Sequence, residues 1–103
     1  MQKFLSMLGF AMKSGKIITG DDTCEMFMKK GKIKLLIVAA DASENTKDKF
    51  RSKTTQYNVQ LIEVSTKEEL SQAIGKFNRA VIGITDRKFT NSLIQLLEQA
   101  VNK

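Results

Sequence analysis

Residues 34–40, KLLIVAA, decide the fold class. This continuous apolar run is flanked by charge, a pattern that predicts a strand buried on both faces of a sheet. The segments VQLIEV at 59–64 and RAVIGIT at 79–85 have the same character, and KII at 16–18 is a shorter candidate strand. The sequence therefore predicts a sheet of about four strands.

Helical patterns separate these strands. They cover residues 3–13, about 20–30, 41–57, 65–75 and a last segment whose apolar stripe is Phe89, Leu93, Leu96, Leu97, Ala100 and Val101. Strict alternation of strand and helix predicts right-handed crossovers and a mainly parallel sheet. We therefore expect an α/β protein, a three-layer α/β/α sandwich of five helices around a mixed, mainly parallel sheet, forming one domain over residues 1–103.

Polar residues at the ends of the strands have two interpretations. Asp41 and Asp86 each follow a predicted strand, where doubly wound sheets place ligand-binding groups. Capping of the following helices is the favoured interpretation. Thr19 with Asp22 fits a capping pattern, as do Ser65 with Glu68 and Thr66 with Glu69. Gly75 is expected to end the helix of residues 65–75.

The charge balance favours an anionic partner. Seventeen Lys and Arg against eleven Asp and Glu give a formal net charge of +6, and the sequence pI is near 9.6. For a small domain this bias favours binding to RNA, DNA or an anionic membrane. The alternative is a protein whose surface lysines are merely solvated.

The residue types present argue against an enzyme. Histidine is absent and Cys24 is the single cysteine, so neither a Cys–His nucleophile pair nor an ordinary zinc site is expected. No phosphate loop or dinucleotide glycine motif occurs, and we predict no cofactor and no metal. The unpaired cysteine and the short apolar runs predict a cytoplasmic protein without membrane contact.

The segment 19–32, TGDDTCEMFMKKGK, begins with acid and ends with base. This order suits a helix dipole, which favours anions at its start and cations at its end. Helical spacing places Cys24, Phe27 and Met28 toward the core. Met26 falls on the opposite side and is expected to be exposed.

The whole chain, over residues 3–100, resembles bacterial members of the ribosomal protein L7Ae family, which bind kink-turn RNA. LGFAMKSGKIITG resembles their opening helix and the turn into the recognition helix, and KKGKIKLLIVAADASENT resembles their central strand. VQLIEVSTKEELSQAIGKFNRAVIGI resembles their third strand, the next helix and the loop before the last strand. The resemblance implies an α/β/α sandwich that binds RNA.

In the family, the start of the second helix carries a Gly-x-Asn-Glu-x-x-Lys motif that reads purines beside the RNA kink. Here Gly20 matches the glycine, while Asp22, Thr23 and Met26 stand at the Asn, Glu and Lys positions. The free N–H groups of the helix start are retained whatever side chains stand there.

The second family site is the loop before the last strand, which grips a flipped-out nucleotide. Here the loop retains an aromatic, an amide and two cations, which suit base stacking, base-edge bonding and phosphate contact. Core packing is an equally open interpretation of Phe77. The residues implied to bind RNA are Lys16, Gly20, Asp21, Asp22, Thr23, Met26, Lys29, Lys30, Lys76, Phe77, Asn78 and Arg79.

Two functions from different classes follow. The first is a non-catalytic RNA-binding protein, associated with the ribosome, that recognises a kink-turn or similar internal-loop RNA, with ribosomal RNA among the candidate targets. We expect it to be monomeric when free, and Lys16 and Lys76 to lie on one face near the helix start and the loop. The second is a protein-interaction module that kept the fold and lost kink-turn recognition, with Met26 as the anchor for a partner.

Overall fold

Helices and strands alternate along the chain in a computed structural model that describes the backbone of residues 1–101 and the side chains of residues 1–99. In order they are α1 (Gln2–Lys13), β1 (Ile17–Thr19), α2 (Asp21–Lys29), β2 (Leu35–Val38), α3 (Glu44–Tyr57), β3 (Gln60–Glu63), α4 (Lys67–Ala73), β4 (Val81–Ile84) and α5 (Arg87–Val101). The predicted five helices and four strands are confirmed. None of the described helices is long and apolar enough to span a bilayer.

The four strands form one mixed sheet in the order β1-β4-β2-β3. Only β2 and β3 run parallel, with Leu36 beside Leu61. Strand β4 lies between β1 and β2 and is antiparallel to both. The α/β sandwich with a mixed sheet is confirmed, whereas the prediction that the sheet is mainly parallel is wrong.

The turn after α4 explains the reversed strand. Gly75 adopts a left-handed φ of +70°, which ends the helix and turns the chain back. Residues 76–80 then return to the end of the sheet where α4 began, and the Ala39 N–H donates to the Ala80 carbonyl over 2.9 Å. Because β4 starts where β2 finishes, it must run antiparallel to β2.

The two faces of the sheet carry separate cores. Helices α1, α4 and α5 cover one face, where Phe4, Leu8, Leu70 and Leu93 pack on Leu35 and Ile37. Helices α2 and α3 cover the other, where Cys24, Met28 and Phe50 pack on Leu36 and Val38. Every residue of β2 is fully buried, as the apolar run predicted. In the stripe of α5, the side chains of Ala100 and Val101 lie outside the described residues.

Hydrogen bonds identify the helix caps. Thr66 caps α4, with its Oγ1 accepting from the Glu69 N–H at 3.1 Å, so Thr66 with Glu69 is the pair that forms. Asp86 caps α5 as predicted, accepting from the Phe89 N–H at 2.9 Å. Asp41 also caps a helix, although not the following one: its Oδ1 accepts from the Lys67 N–H of α4 at 2.8 Å.

The predicted cap of α2 by Thr19 and Asp22 is wrong. Gly20 occupies the N-cap position, and none of the side chains of residues 1–99 makes a capping hydrogen bond there. Thr19 is the last residue of β1 and pairs with Ile82, so it belongs to the sheet.

Candidate functional site

The two predicted pieces of the site meet at one end of the sheet. This upper end comprises the carboxyl ends of β1, β2 and β3 and the amino end of β4; the opposite end is called the lower end. The Gly20 N–H donates to the Val81 carbonyl over 3.3 Å. The start of α2 is therefore bonded directly to the strand that residues 76–80 enter.

The start of α2 exposes backbone donors. Gly20 has φ +97° and ψ 145°, a conformation that is open to glycine and strained for residues with a Cβ. The first helical bond runs from the Cys24 N–H to the Gly20 carbonyl. The N–H groups of residues 21–23 precede it and have no partner within the helix. These donors, at the positive end of the helix dipole, suit an anion or a base-edge acceptor.

The side chains of α2 divide as its helical period predicted. Cys24 and Met28 are buried, and Phe27 is half-buried. Asp21, Asp22 and Thr23 are exposed around the helix start. Met26 is 45% exposed, which confirms the expected exposure. It lies one turn after Asp22 and forms an apolar spot beside the free N–H groups.

The loop of residues 76–79 projects from the upper end. Phe77 is 91% exposed, so the interpretation of Phe77 as a core residue is wrong. Its apolar stripe ends at Ile74, because the left-handed turn at Gly75 takes the chain off the buried face of α4. Asn78 is also left-handed, with φ 58°. The turn thus presents an aromatic ring to solvent.

Ser71 holds this loop to α4. Its hydroxyl accepts from the Arg79 N–H at 2.7 Å and donates to the Arg79 carbonyl at 3.1 Å. The Nε of Arg79 is buried with no hydrogen-bond partner among the described residues. A cleft of about 650 Å³ lies between α4 and the loop, lined by Lys67, Glu68, Ser71, Gln72, Gly75, Lys76, Phe77 and Asn78.

The cleft beside the loop is also lined by residues outside the two family motifs. Lys67 lines the cleft together with Lys76, and Asp41 bonds to the Lys67 N–H. Both follow strands that end at the upper end of the sheet. This position after a strand, from which Asp41 was considered as a ligand-binding residue, could have indicated Lys67 in the same way.

Lys16, Lys29 and Lys30 lie elsewhere. Lys16 precedes β1 at the lower end, where its carbonyl accepts from the Thr85 N–H at 3.0 Å. The four extended residue steps from Lys16 to Gly20, which include β1, separate the two by roughly 13 Å at 3.3 Å per residue. The prediction that Lys16 lies near the helix start and the loop is therefore wrong.

Lys29 and Lys30, at the end of α2, lie far from the start of α2 because the whole helix separates them from it. Nine helical residues span roughly 13 Å at 1.5 Å per residue. Lys29 lies 4.0 Å from Glu25, and the Lys30 ammonium lies 5.7 Å from the centre of the Phe27 ring. Both residues therefore lie toward the lower end.

Charge is distributed unevenly between the two ends of the sheet. For each end, the charged residues are counted in every segment that joins a strand and a helix there, together with the three helical residues nearest to that segment. The upper end carries six acidic residues and three basic ones, Lys67, Lys76 and Arg79, a formal charge of −3. The lower end carries one acidic residue, Asp86, and eight basic ones, a formal charge of +7: Lys13, Lys16, Lys29, Lys30, Lys32, Lys34, Arg87 and Lys88.

The single cysteine is a core residue. Burial, together with the nearby Asp21 carboxylate, raises the pKa of the Cys24 thiol to about 12. Its Sγ lies 3.5 Å from the Ile18 carbonyl, to which the thiol donates. The thiol is therefore protonated at neutral pH. Within residues 1–101, no group of three or more Cys, Asp or Glu residues is arranged to hold a metal ion.

Comparison with solved structures supports the fold. A Bacillus halodurans protein of unknown function superposes with a TM-score of 0.89 at 33% identity, covering 93% of this chain and 97% of that one. A 15.5 kD RNA-binding protein of Giardia lamblia superposes with a TM-score of 0.78 at 18% identity, covering 95% of this chain and 84% of that one.

Sequence comparison identifies the family. The chain is 40% identical to RNA-binding protein YlxQ of Enterococcus faecium, over 94% of this chain and 93% of the relative. It is 33% identical to RNA-binding protein YlxQ of Bacillus subtilis, over 93% and 96%. The model of the ribosomal protein L7Ae/L30e/S12e/Gadd45 family matches residues 2–94. The chain belongs to the ribosomal protein L7Ae/L30e/S12e/Gadd45 family.

Proposed function

We propose that this protein is a non-catalytic RNA-binding protein that recognises a kink-turn or similar internal-loop RNA through its upper end. The observation that carries the proposal is the hydrogen bond from Gly20 to Val81, which sets the uncapped start of α2 beside the exposed 76–79 loop. Its relatives from Enterococcus faecium and Bacillus subtilis are named RNA-binding proteins, which supports RNA as the partner.

Backbone donors carry the recognition at the helix start. The N–H groups of residues 21–23 bond to RNA acceptors, and this contact does not depend on which side chains follow Gly20. The loop supplies a second contact. Phe77 stacks on an unpaired base at the RNA kink, while Lys76 and Arg79 neutralise phosphates.

Shape contributes more than charge to binding at the upper end. Asp21 and Asp22 are exposed and repel phosphate, and Met26 offers no hydrogen-bond donor to a base edge. Affinity for a kink-turn is therefore lower than it would be with Asn at position 22 and Lys at position 26, since a base contact contributes about 1–3 kcal/mol. Ribosomal RNA, which a cytoplasmic, ribosome-associated monomer would meet, is the candidate target.

A mobility-shift titration tests the proposal. The probe is a labelled kink-turn without single-stranded tails, compared with a straight duplex of equal length at two salt concentrations. We expect preference for the kink-turn, with affinity that falls as salt rises. Phe77→Ala should weaken kink-turn binding by about 1–3 kcal/mol. Phe10→Ala, at the other large exposed ring, 60% exposed on α1, is the matched control and should leave it unchanged.

Equal affinity for the kink-turn and the duplex would contradict the proposal. So would a Phe77→Ala variant that binds the kink-turn as wild type does.

The exposed Met26 favours one second candidate, a protein-interaction module. An apolar side chain within an acidic upper end suits a basic partner with an apolar contact. Loss of kink-turn preference in the titration, together with capture of such a partner that Met26→Ala abolishes, would favour this candidate.

A further inference from the structure

The lower end of the sheet forms a basic surface that the proposed function does not use. Lys16 and Lys34 lie on either side of the end of β4. The Thr85 N–H donates to the Lys16 carbonyl at 3.0 Å, and the Lys34 N–H donates to the Ile84 carbonyl at 2.7 Å. Both lysine side chains are exposed, and the rigid sheet fixes the positions of their backbones.

The lysines of the lower end differ from those of α3 in their partners. Lys49 and Lys53 lie 3.5 and 3.2 Å from Glu25, and Arg51 makes a two-point contact with Glu63. Among residues 1–99, Lys16, Lys34 and Lys88 make no ion pair. Their charge is therefore available to an external anion, and the formal charge of +7 at this end attracts one.

An apolar element accompanies the charge. A shallow groove of about 350 Å³ lies between α1 and the start of α5, with Met7 and Phe89 as apolar lining and Lys16 and Lys88 as cations. Phe10 is 60% exposed. It lies one helical turn from Met7 on one side and from Ser14, another lining residue, on the other. Phe10 therefore stands on the part of α1 that adjoins the groove, although it is not itself a lining residue.

We propose that the lower end binds an unpaired RNA strand, with Phe10 stacking on a base and Lys16, Lys34 and Lys88 neutralising phosphates. A basic groove that follows the backbone, combined with an exposed aromatic ring, is the arrangement by which proteins hold single strands without reading their sequence. The one acidic residue here, Asp86, lines the groove, and its Oδ2 is engaged by the Phe89 N–H.

This surface is independent of the upper end. The two are separated by the length of the sheet and share no residue, so an RNA with a kink-turn and a flanking unpaired strand could contact both. The inference goes beyond kink-turn recognition and holds whether or not the upper end binds one.

Fluorescence anisotropy with a labelled oligouridylate of about twelve nucleotides tests this surface. The triple variant Lys16→Ala/Lys34→Ala/Lys88→Ala should weaken binding at least tenfold and reduce the salt slope of log affinity by about 2. Lys3→Ala/Lys49→Ala/Lys53→Ala removes the same charge from α1 and the middle of α3, and should retain affinity within about threefold. This control separates a local surface from net charge.

Phe10 is tested with the same probe. Phe10→Ala should weaken binding by about 5- to 150-fold, and Phe10→Trp, which keeps a ring, should retain wild-type binding. Phe10→Leu keeps an apolar side chain at this position without an aromatic ring. It is the matched control and should bind the oligouridylate as weakly as Phe10→Ala does, because stacking needs a ring. The tail-free kink-turn is titrated in parallel, so that a failure of kink-turn recognition appears on that probe alone.

Two results would overturn the inference. In the first, both triple variants lose equal affinity for the oligouridylate. In the second, Phe10→Ala binds the oligouridylate as wild type does, and heparin, a polyanion without bases, depends equally on the three lysines. Circular dichroism of each variant establishes that the fold is intact.

Discussion

The amide nitrogen of Gly20 lies 3.3 Å from the carbonyl oxygen of Val81, and this hydrogen bond joins the start of α2 to the strand that follows the exposed loop. The two candidate contacts with RNA are far apart in sequence and adjacent in the fold. A change in the backbone at Gly20 should therefore affect both contacts.

Replacing Gly20 with Ala tests the backbone strain at this position. The nearest atom to an added Cβ is Thr23 Oγ1 at 3.9 Å, so the cost is backbone strain at φ +97° and not a clash. We expect a loss of about 1–3 kcal/mol in the free energy of unfolding, measured by urea denaturation. Gly31→Ala, at φ +70° after α2, is the control and should cost about 1 kcal/mol. A Gly20→Ala variant no less stable than Gly31→Ala would contradict the strain argument.

The double variant Asp22→Asn/Met26→Lys should bind a kink-turn more tightly than wild type. It removes a charge that repels phosphate and adds a donor at a position that is 45% exposed. We expect a gain of one to two powers of ten, from one base contact of about 1–3 kcal/mol. Loss of the first-turn charge should cost the helix about 0.3–1 kcal/mol. The check is the mobility-shift titration described above.

Asp48→Asn/Ser52→Lys is the control for the double variant. Both positions are exposed on α3, so it raises the net charge by two, as the double variant does, and alters neither the α2 start nor the loop. A gain shown by both variants, or by neither with the fold intact by circular dichroism, would mean that α2 does not meet RNA through this face. The interaction-module candidate would then be favoured.

Gly83 sets the distance between β4 and the layer formed by α2 and α3. A Cβ at this position would lie 2.5 Å from Ile33 Cδ1 and 3.5 Å from Cys24 Sγ. Gly83→Ala should therefore destabilise the fold by about 1–3 kcal/mol through overpacking. Ile33→Val removes the clashing methyl group, and alone it should cost about 0.5–1.5 kcal/mol. In the Gly83→Ala background the same change should cost less or stabilise; additive losses in urea denaturation would refute this contact.

Glu25 should titrate below its usual range. The ammonium of Lys53 donates to its carboxylate and, with Lys49 and Lys29, lowers the pKa of Glu25 from 4.5. Because the folded pKa is the lower one, the ion pairs stabilise the fold above pH 4.5, and this contribution is lost as the pH falls through the folded pKa. Carboxyl-carbon NMR should show a higher pKa of Glu25 in Lys53→Met than in Lys29→Met, since the distances are 3.2 and 4.0 Å. The opposite order would show that Lys53 is not the dominant partner.

The layers of the fold could be predicted from the sequence, whereas the direction of β4 could not. The apolar run of residues 35–38 requires burial on both faces, and this holds for parallel and antiparallel neighbours alike. Direction depends on the backbone turn at Gly75 and on the two hydrogen bonds between Ser71 and Arg79, and neither leaves a mark in the apolar pattern.

For the candidate site as well, the sequence predicted positions within regular helices but not positions that depend on turns. Helical periodicity placed Met26 outside and Cys24 inside, because both lie within one regular element. It failed for Phe77, whose direction is set by the left-handed turn before it. The expected place of Lys16 near the helix start, which came with the family resemblance, was also wrong, because the four residue steps from Lys16 to Gly20 include strand β1 and run from the lower end of the sheet to the upper end.

The opposite formal charges of the two ends, −3 and +7, give the molecule a permanent polarity along its strands. In the electrostatic field of a nucleic acid, such a molecule is oriented before contact, with its basic end facing the nucleic acid. Encounter and residence then depend on different ends of the protein. We expect added salt to slow association through the basic end, while the lifetime of a kink-turn complex depends on the contacts around Gly20.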